Sequence, residues 1–144
     1  MGKKQKTVPV AATSRSIGKT VAIKEAPSDD FPVWRFSTAD LNGPFLWPKT
    51  KDEELAIVEK LHQFDSMAWK SIEGKTHHFL SLTSMSKEAI KRLEDLKKDD
   101  DIENLFSFHL SGRQRIIAIR HGKVAKLLWY DPQHGVAPSK LKHT

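Results

Sequence analysis

Arg113 and Arg115 stand two residues apart at the start of Arg113–Arg120, a run that alternates like a strand. Both side chains then share one sheet face with Ile117 and Ile119, while Gln114, Ile116, Ala118 and Arg120 take the other. Arginine's planar fork matches phosphate oxygens, and its charge can stabilise the transition state of phosphodiester cleavage. The plainer reading is that the pair solvates a strand start or meets the acidic stretch around Glu94 and Asp95. Tyr130-Asp131-Pro132-Gln133-His134 follows the last strand-like run, and Asp131-Pro132 is turn chemistry, which places His134 on a loop at the end of the sheet. Histidine titrates near neutrality and can act as general acid or base. Tyr130 offers a ring that can orient a substrate or stack on a base. A lone loop histidine serves equally well as a solvated or capping group.

Other chemistries are excluded by residue type or spacing. Cysteine is absent, so there are no disulfides, thiolate nucleophiles or Cys-ligated zinc sites. His77 and His78 are adjacent, and His62, His109, His121 and His143 are scattered without metal-ligand spacing. No cofactor is expected. Ser16-Ile17-Gly18-Lys19-Thr20 ends like a phosphate-binding loop, but Thr13 stands where that motif requires glycine. No stretch approaches the roughly 18–20 apolar residues of a membrane span, and the basic start leads into no secretory-type apolar segment. The expected setting is cytoplasmic, with no membrane partner.

Charge points to a polyanion. Of 144 residues, 24 are Lys or Arg and 18 Asp or Glu, a net of +6. The average conceals blocks: residues 1–30 carry a net +3, residues 31–104 a net −3, and residues 105–144 a net +6 with Asp131 as the only acid. Such asymmetry suits nucleic acid or an acidic protein. Arg113, Arg120, Lys123, Lys126, Lys140 and Lys142 are the expected nucleic-acid contacts.

The elements that would position these groups follow from pattern. Residues 1–30 lack a sustained apolar period and read as a poorly ordered basic arm, leaving 31–144 as one domain. Val33–Phe36 alternates like a strand, and Phe45-Leu46-Trp47 is expected to pair back on it as a core hairpin across Asn42-Gly43-Pro44. Thr50 and Glu53 form a capping box for a helix whose stripe is Ile57, Leu61, Phe64 and Ala68, ending near Glu73-Gly74. Ser86 caps a second helix, with Met85 and Ile90 as a hydrophobic staple and Leu93 facing inward. Leu105–Leu110, Arg113–Arg120 and Val124–Tyr130 are three strands separated by Ser111-Gly112 and His121-Gly122. The order predicts an α+β domain: two helices packed on one face of an antiparallel sheet built around a C-terminal three-stranded meander, with Val33–Phe36 as an edge.

The stretch LFSFHLSGRQRIIAIR (105–120), then KLLWYDPQH (126–134), then Pro138-Ser139 and Lys142-His143-Thr144, resembles a group of small bacterial and phage proteins with an LSGxxRI strand pair, an LWxDPxH corner and a KHT end. The specific likeness covers about the last 40 residues; the helices match in order. More distantly, two helices before an arginine-bearing meander with a late aromatic and histidine are similar to the RelE/YoeB-like toxins of toxin–antitoxin systems. That resemblance implies a small α+β domain that cleaves messenger RNA, usually on the ribosome, and is neutralised by an antitoxin. Carried over by position, Arg115 or Arg113 matches the transition-state arginine, and Tyr130 and His134 match the late aromatic and histidine. The carboxylate that YoeB-like members place on an early sheet strand has no counterpart in residues 105–120. The expected function is therefore a RelE-like endoribonuclease, with a non-catalytic nucleic-acid- or protein-binding module as the rival.

Overall fold

A computed structural model describes residues 30–138. The proposed arm at 1–30 and the expected contacts Lys140 and Lys142 therefore lie outside the described residues, apart from Asp30. In chain order the elements are β1 (Val33–Arg35), α1 (Lys51–Asp65), α2 (Trp69–Ile72), β2 (His78–Phe79), α3 (Lys87–Asp95), β3 (Leu105–His109), β4 (Arg115–His121) and β5 (Val124–Asp131). Short 3-10 turns cover Leu82–Ser84 and Asp99–Asn104. The strands form one sheet in the order β1-β5-β4-β3-β2. The fold is α+β, as the pattern predicts.

The meander forms because three apolar runs are separated by turns that glycine can close. In the β4–β5 turn His121 pairs with Val124, and Gly122 takes φ +61°, the positive value a two-residue hairpin asks of its first central residue. The sheet is mixed rather than antiparallel, because β1 runs parallel to β5 with Val33 opposite Val124 and Arg35 opposite Lys126. Phe45–Trp47 does not pair with β1. It is an irregular segment leaving a turn, tied by Tyr130 N–H to the Phe45 carbonyl (3.2 Å) and by Trp47 N–H to the Asp40 carbonyl (2.7 Å). Phe45 and Trp47 enter cores on opposite sides of the sheet.

Helices cover both sheet faces, not one. Phe106 and Phe108 of β3, Ile116 and Ala118 of β4, and Ala125, Leu127 and Tyr130 of β5 pack with α1 and α2. Leu105, Ile117, Ile119, Leu128 and Trp129 pack with Ala89 and Leu93 of α3. The cause is visible in β4, where Ile116-Ile117-Ala118-Ile119 is apolar at every position, so neither face can be left in water.

The first predicted helix is broken in two. Ile57, Leu61 and Phe64 fill one stripe of α1, which ends at the Ser66 cap. In an unbroken helix that stripe would continue through Ala68 and leave Trp69 to one side. The break at 66–68 instead turns Trp69 inward, where it is 3% exposed and donates from Nε1 to the Lys123 carbonyl (3.0 Å). Both predicted N-caps form: Glu53 N–H donates to Thr50 Oγ1 (3.4 Å) and Ala89 N–H to Ser86 Oγ (3.2 Å).

Candidate functional site

The α3 face of the sheet is not covered along its whole length. Where the helix stops covering it, β2, β3 and β4 carry a row of polar side chains that runs from exposed His78 to buried Ser107 and half-buried His109 and Arg115. Strand register sets this row: His109 of β3 lies opposite Arg115 of β4, Arg115 opposite Asp131 of β5, and His78 of β2 opposite Ser107 of β3. The Leu82–Ser84 turn and the 134–138 segment wall it in. The result is a cleft of about 580 Å³ whose polar lining includes Lys75, His78, Ser107, His109, Arg115 and His134. Leu80, Ala137 and Pro138 add apolar surface, and among the described residues no carboxylate lines the cleft.

Arg115 and His134, predicted from far apart in the sequence, therefore meet. Arg115 is half-buried and anchored through Nη1, which donates to the carbonyls of Gly112 (2.8 Å) and Gln114 (3.1 Å). Burial works against its charge, and nearby Asp131 supports it. His134 sits at φ +58° in the loop after β5. That loop is held by Asp131, whose two carboxylate oxygens accept from Gly135 N–H and Val136 N–H, each at 2.8 Å. Burial lowers the His134 pKa below 6.5, and Arg115, His109 and Arg113 push it the same way against the opposing charge of Asp131. These surroundings favour the neutral imidazole, the form that accepts a proton.

Tyr130 is not in this cleft. Between Ile117 and Ala118 the β4–β5 register shifts: Ala118 pairs with Leu127, but Ile117 pairs with Trp129. Leu128 is the extra residue of a bulge, and it joins Trp129 in the α3-side core. Without that insertion Tyr130 would lie opposite Arg115; with it, Asp131 takes that place. Tyr130 instead joins the α1-side core and lines a separate depression with Leu46, Lys49 and Glu53. Burial and the Glu53 charge raise its pKa.

The remaining predicted contacts are dispersed. Arg113 is exposed in the β3–β4 turn, within electrostatic reach of His134. Arg120 belongs to the structure: its guanidinium lies 3.8 Å from the Trp69 ring centroid, pairs with Glu73 and donates from Nε to the Gly122 carbonyl at 2.8 Å. Lys123 is exposed in the β4–β5 turn, at the far end of the sheet from Arg115. Lys126 lies opposite Ile119 on the cleft's face of the sheet, but beside Arg35 rather than in the cleft. The pairing of Arg113 or Arg115 with the Glu94–Asp95 stretch does not form; Asp95 pairs with Lys91 (3.6 Å).

Sequence reasoning missed Lys75, His78 and His109. His109 carried a signal: counting back across the turn from Arg115 makes the two residues strand partners. His78 and Lys75 depend on the two-residue strand β2, which is too short to leave a pattern. Backbone groups fix the protonated nitrogens of these rings. Carbonyls only accept, so His109 Nε2 donates to Gly112 (3.0 Å) and His78 Nδ1 to Phe79 (2.9 Å). His77 Nδ1 accepts from His109 N–H (3.0 Å), and burial followed by the neighbouring His109, Lys60, His78 and Arg115 charges pushes its pKa down to about 4. Among the described residues, no group of three or more His, Asp or Glu side chains is arranged to hold a metal, and no helix is long and apolar enough to cross a membrane. Comparison with known proteins finds no matching family model, curated relative or solved structure.

Proposed function

We propose that this chain is a metal-independent endoribonuclease of the RelE-like kind, acting on messenger RNA at the ribosome and restrained by an antitoxin. One observation carries the reading: a cleft large enough for a nucleotide joins an anchored arginine to a histidine whose surroundings favour its neutral form, and no carboxylate among the described residues lines it. The Asp131 carboxylate, within electrostatic reach of both groups, is buried behind that lining with its two oxygens held by the Gly135 and Val136 amides. Arg115 would neutralise a non-bridging phosphate oxygen, and His134 would take the proton of the adjacent 2′-hydroxyl as it attacks phosphorus. The products are a 2′,3′-cyclic phosphate and a 5′-hydroxyl end. Tyr130 has no part in this reading, because it lies on the other face of the sheet.

A rival reading, a non-catalytic nucleic-acid- or partner-binding module, draws on the Arg115 Nη1 bonds to Gly112 and Gln114, which suit a fixed binding group as well as a catalytic one. Inducing the intact chain in growing bacteria, beside Arg115→Ala and His134→Ala, separates the two. Growth arrest with new RNA 5′ ends that disappear in both variants is the expected result. Intact cleavage in both variants would place the site elsewhere. RNA retention that weakens with salt and yields no product would establish the binding module.

A further inference from the structure

The Gly112 carbonyl, presented by a turn in which Gly112 takes φ +53°, accepts from Arg115 Nη1 at 2.8 Å and from His109 Nε2 at 3.0 Å. One backbone oxygen thus orients a cation and an imidazole that are already strand partners. His109 is also fixed through its backbone, whose N–H donates to His77. Of the two remaining histidines on the β2–β3 side, His77 is held as an acceptor and His78 lies opposite Ser107, which is two residue pairs along the ladder from Arg115. His109 is the imidazole placed beside the phosphate-binding group.

Resting on the endoribonuclease reading above, we propose that His109 is the general acid of the reaction, delivering a proton from Nδ1 to the departing 5′-oxygen while His134 takes the proton of the 2′-hydroxyl. Because Nε2 is committed to Gly112, Nδ1 is the ring atom that exchanges a proton. The balance is complete without water or metal. The O2′–P bond forms and the P–O5′ bond breaks. One proton moves from the 2′-hydroxyl to His134, and one from His109 to O5′. The neutrality of His77 above pH 4 spares the pair a further adjacent positive charge.

The test uses the purified full-length chain, with ribosomes present, on single-stranded RNA carrying either the natural linkage or a 5′-bridging phosphorothiolate at the mapped cleavage position. A sulfur leaving group departs without protonation, so it bypasses a general acid and not a general base. His109→Gln retains an N–H donor for Gly112 but cannot transfer a proton, which separates catalysis from folding. It is expected to slow cleavage of the natural linkage by about 10²–10⁴-fold and to cut the phosphorothiolate within about tenfold of the unaltered protein. His134→Ala should remain slow on both. Equal loss by His109→Gln on both RNAs, or no loss on the natural one, would overturn the assignment to His109 alone. Failure of the unaltered protein to cut either RNA would overturn the endoribonuclease reading, and this assignment with it.

Discussion

Asp131 shows how one backbone irregularity redistributes chemistry. It is the only acid after residue 104, and it is buried, with both carboxylate oxygens taken by the Gly135 and Val136 amides. Asp131→Ala would leave two amides of the His134 loop without their acceptor, costing about 2–4 kcal/mol of stability and depressing RNA cleavage through misplacement of His134. Tyr130→Phe, one residue away, is expected to leave cleavage within about twofold of the unaltered rate, since Tyr130 lies behind the sheet. Urea denaturation and a cleavage assay on both variants check the pair; a large catalytic defect in Tyr130→Phe would contradict the placement. Arg115 and His134 were legible in the sequence because strand alternation and Asp-Pro turn chemistry are local. The exchange of Tyr130 for Asp131 opposite Arg115 was not, because the Leu128 bulge is settled by packing against Trp129 and by the Leu128 carbonyl accepting from Asp40 N–H (2.8 Å), a contact across 88 positions.

At the scale of elements, what the sequence concealed was how the loop after β1 is joined to the rest. Asp40 gathers three parts of the fold: Arg92 of α3 donates to it twice at 2.8 Å, Trp129 of β5 donates from Nε1 at 3.0 Å, and the Asn42 amide donates at 3.1 Å. Gly43, with φ +81°, makes room for the arginine, since a Cβ there would lie 2.4 Å from Arg92 Nε. Capping boxes and helix stripes are written in residues three or four apart, so α1 and α3 could be located. A carboxylate 52 positions from its arginine leaves no such trace, nor does a helix break that pays off only when Trp69 reaches Phe106 and Phe108 (ring centroids at 5.3 and 5.8 Å). Asp40→Ala is expected to destabilise the protein by about 3–5 kcal/mol, because it leaves Arg92 without its partner. Gly43→Ala should reproduce part of that loss by displacing the same side chain. Burial alone would raise the Asp40 pKa, but the Arg92, Asn42 and Trp129 hydrogen bonds and the Arg92 charge outweigh it and hold the carboxyl below 3.8. The contribution of Asp40 is thus complete above its unfolded pKa and lost as pH falls through the lower folded value. Thermal melts from neutral pH into that acid range should show a shallower final decline in Asp40→Ala than in the unaltered protein.

Across the whole molecule, the basic block of residues 105–144 does not become one basic surface. Strand alternation divides it between faces, and strand direction divides it between ends. Arg115 and Arg120 lie on opposite faces of β4 and roughly 17 Å apart along it, at about 3.3 Å per residue. The Arg120 charge is already balanced by Glu73 and stacked on Trp69. On the α1 side, Asp52, Glu53 and Glu54 open the helix, so that face would repel a polyanion. A basic sequence block therefore suggests an anionic partner without saying which cations would meet it. Counterion release turns that distinction into a measurement, because each phosphate neutralised on a single strand contributes about −0.7 to the slope of log affinity against log salt concentration. Removing Arg115 or Lys75 as Gln should make the slope shallower by about 0.7 each, whereas Arg120→Gln should lower thermal stability and leave the slope unchanged. Titrating a single-stranded RNA at several salt concentrations with each variant tests this. A slope that responds to Arg120 and ignores Arg115 would move the RNA to the opposite face of the sheet.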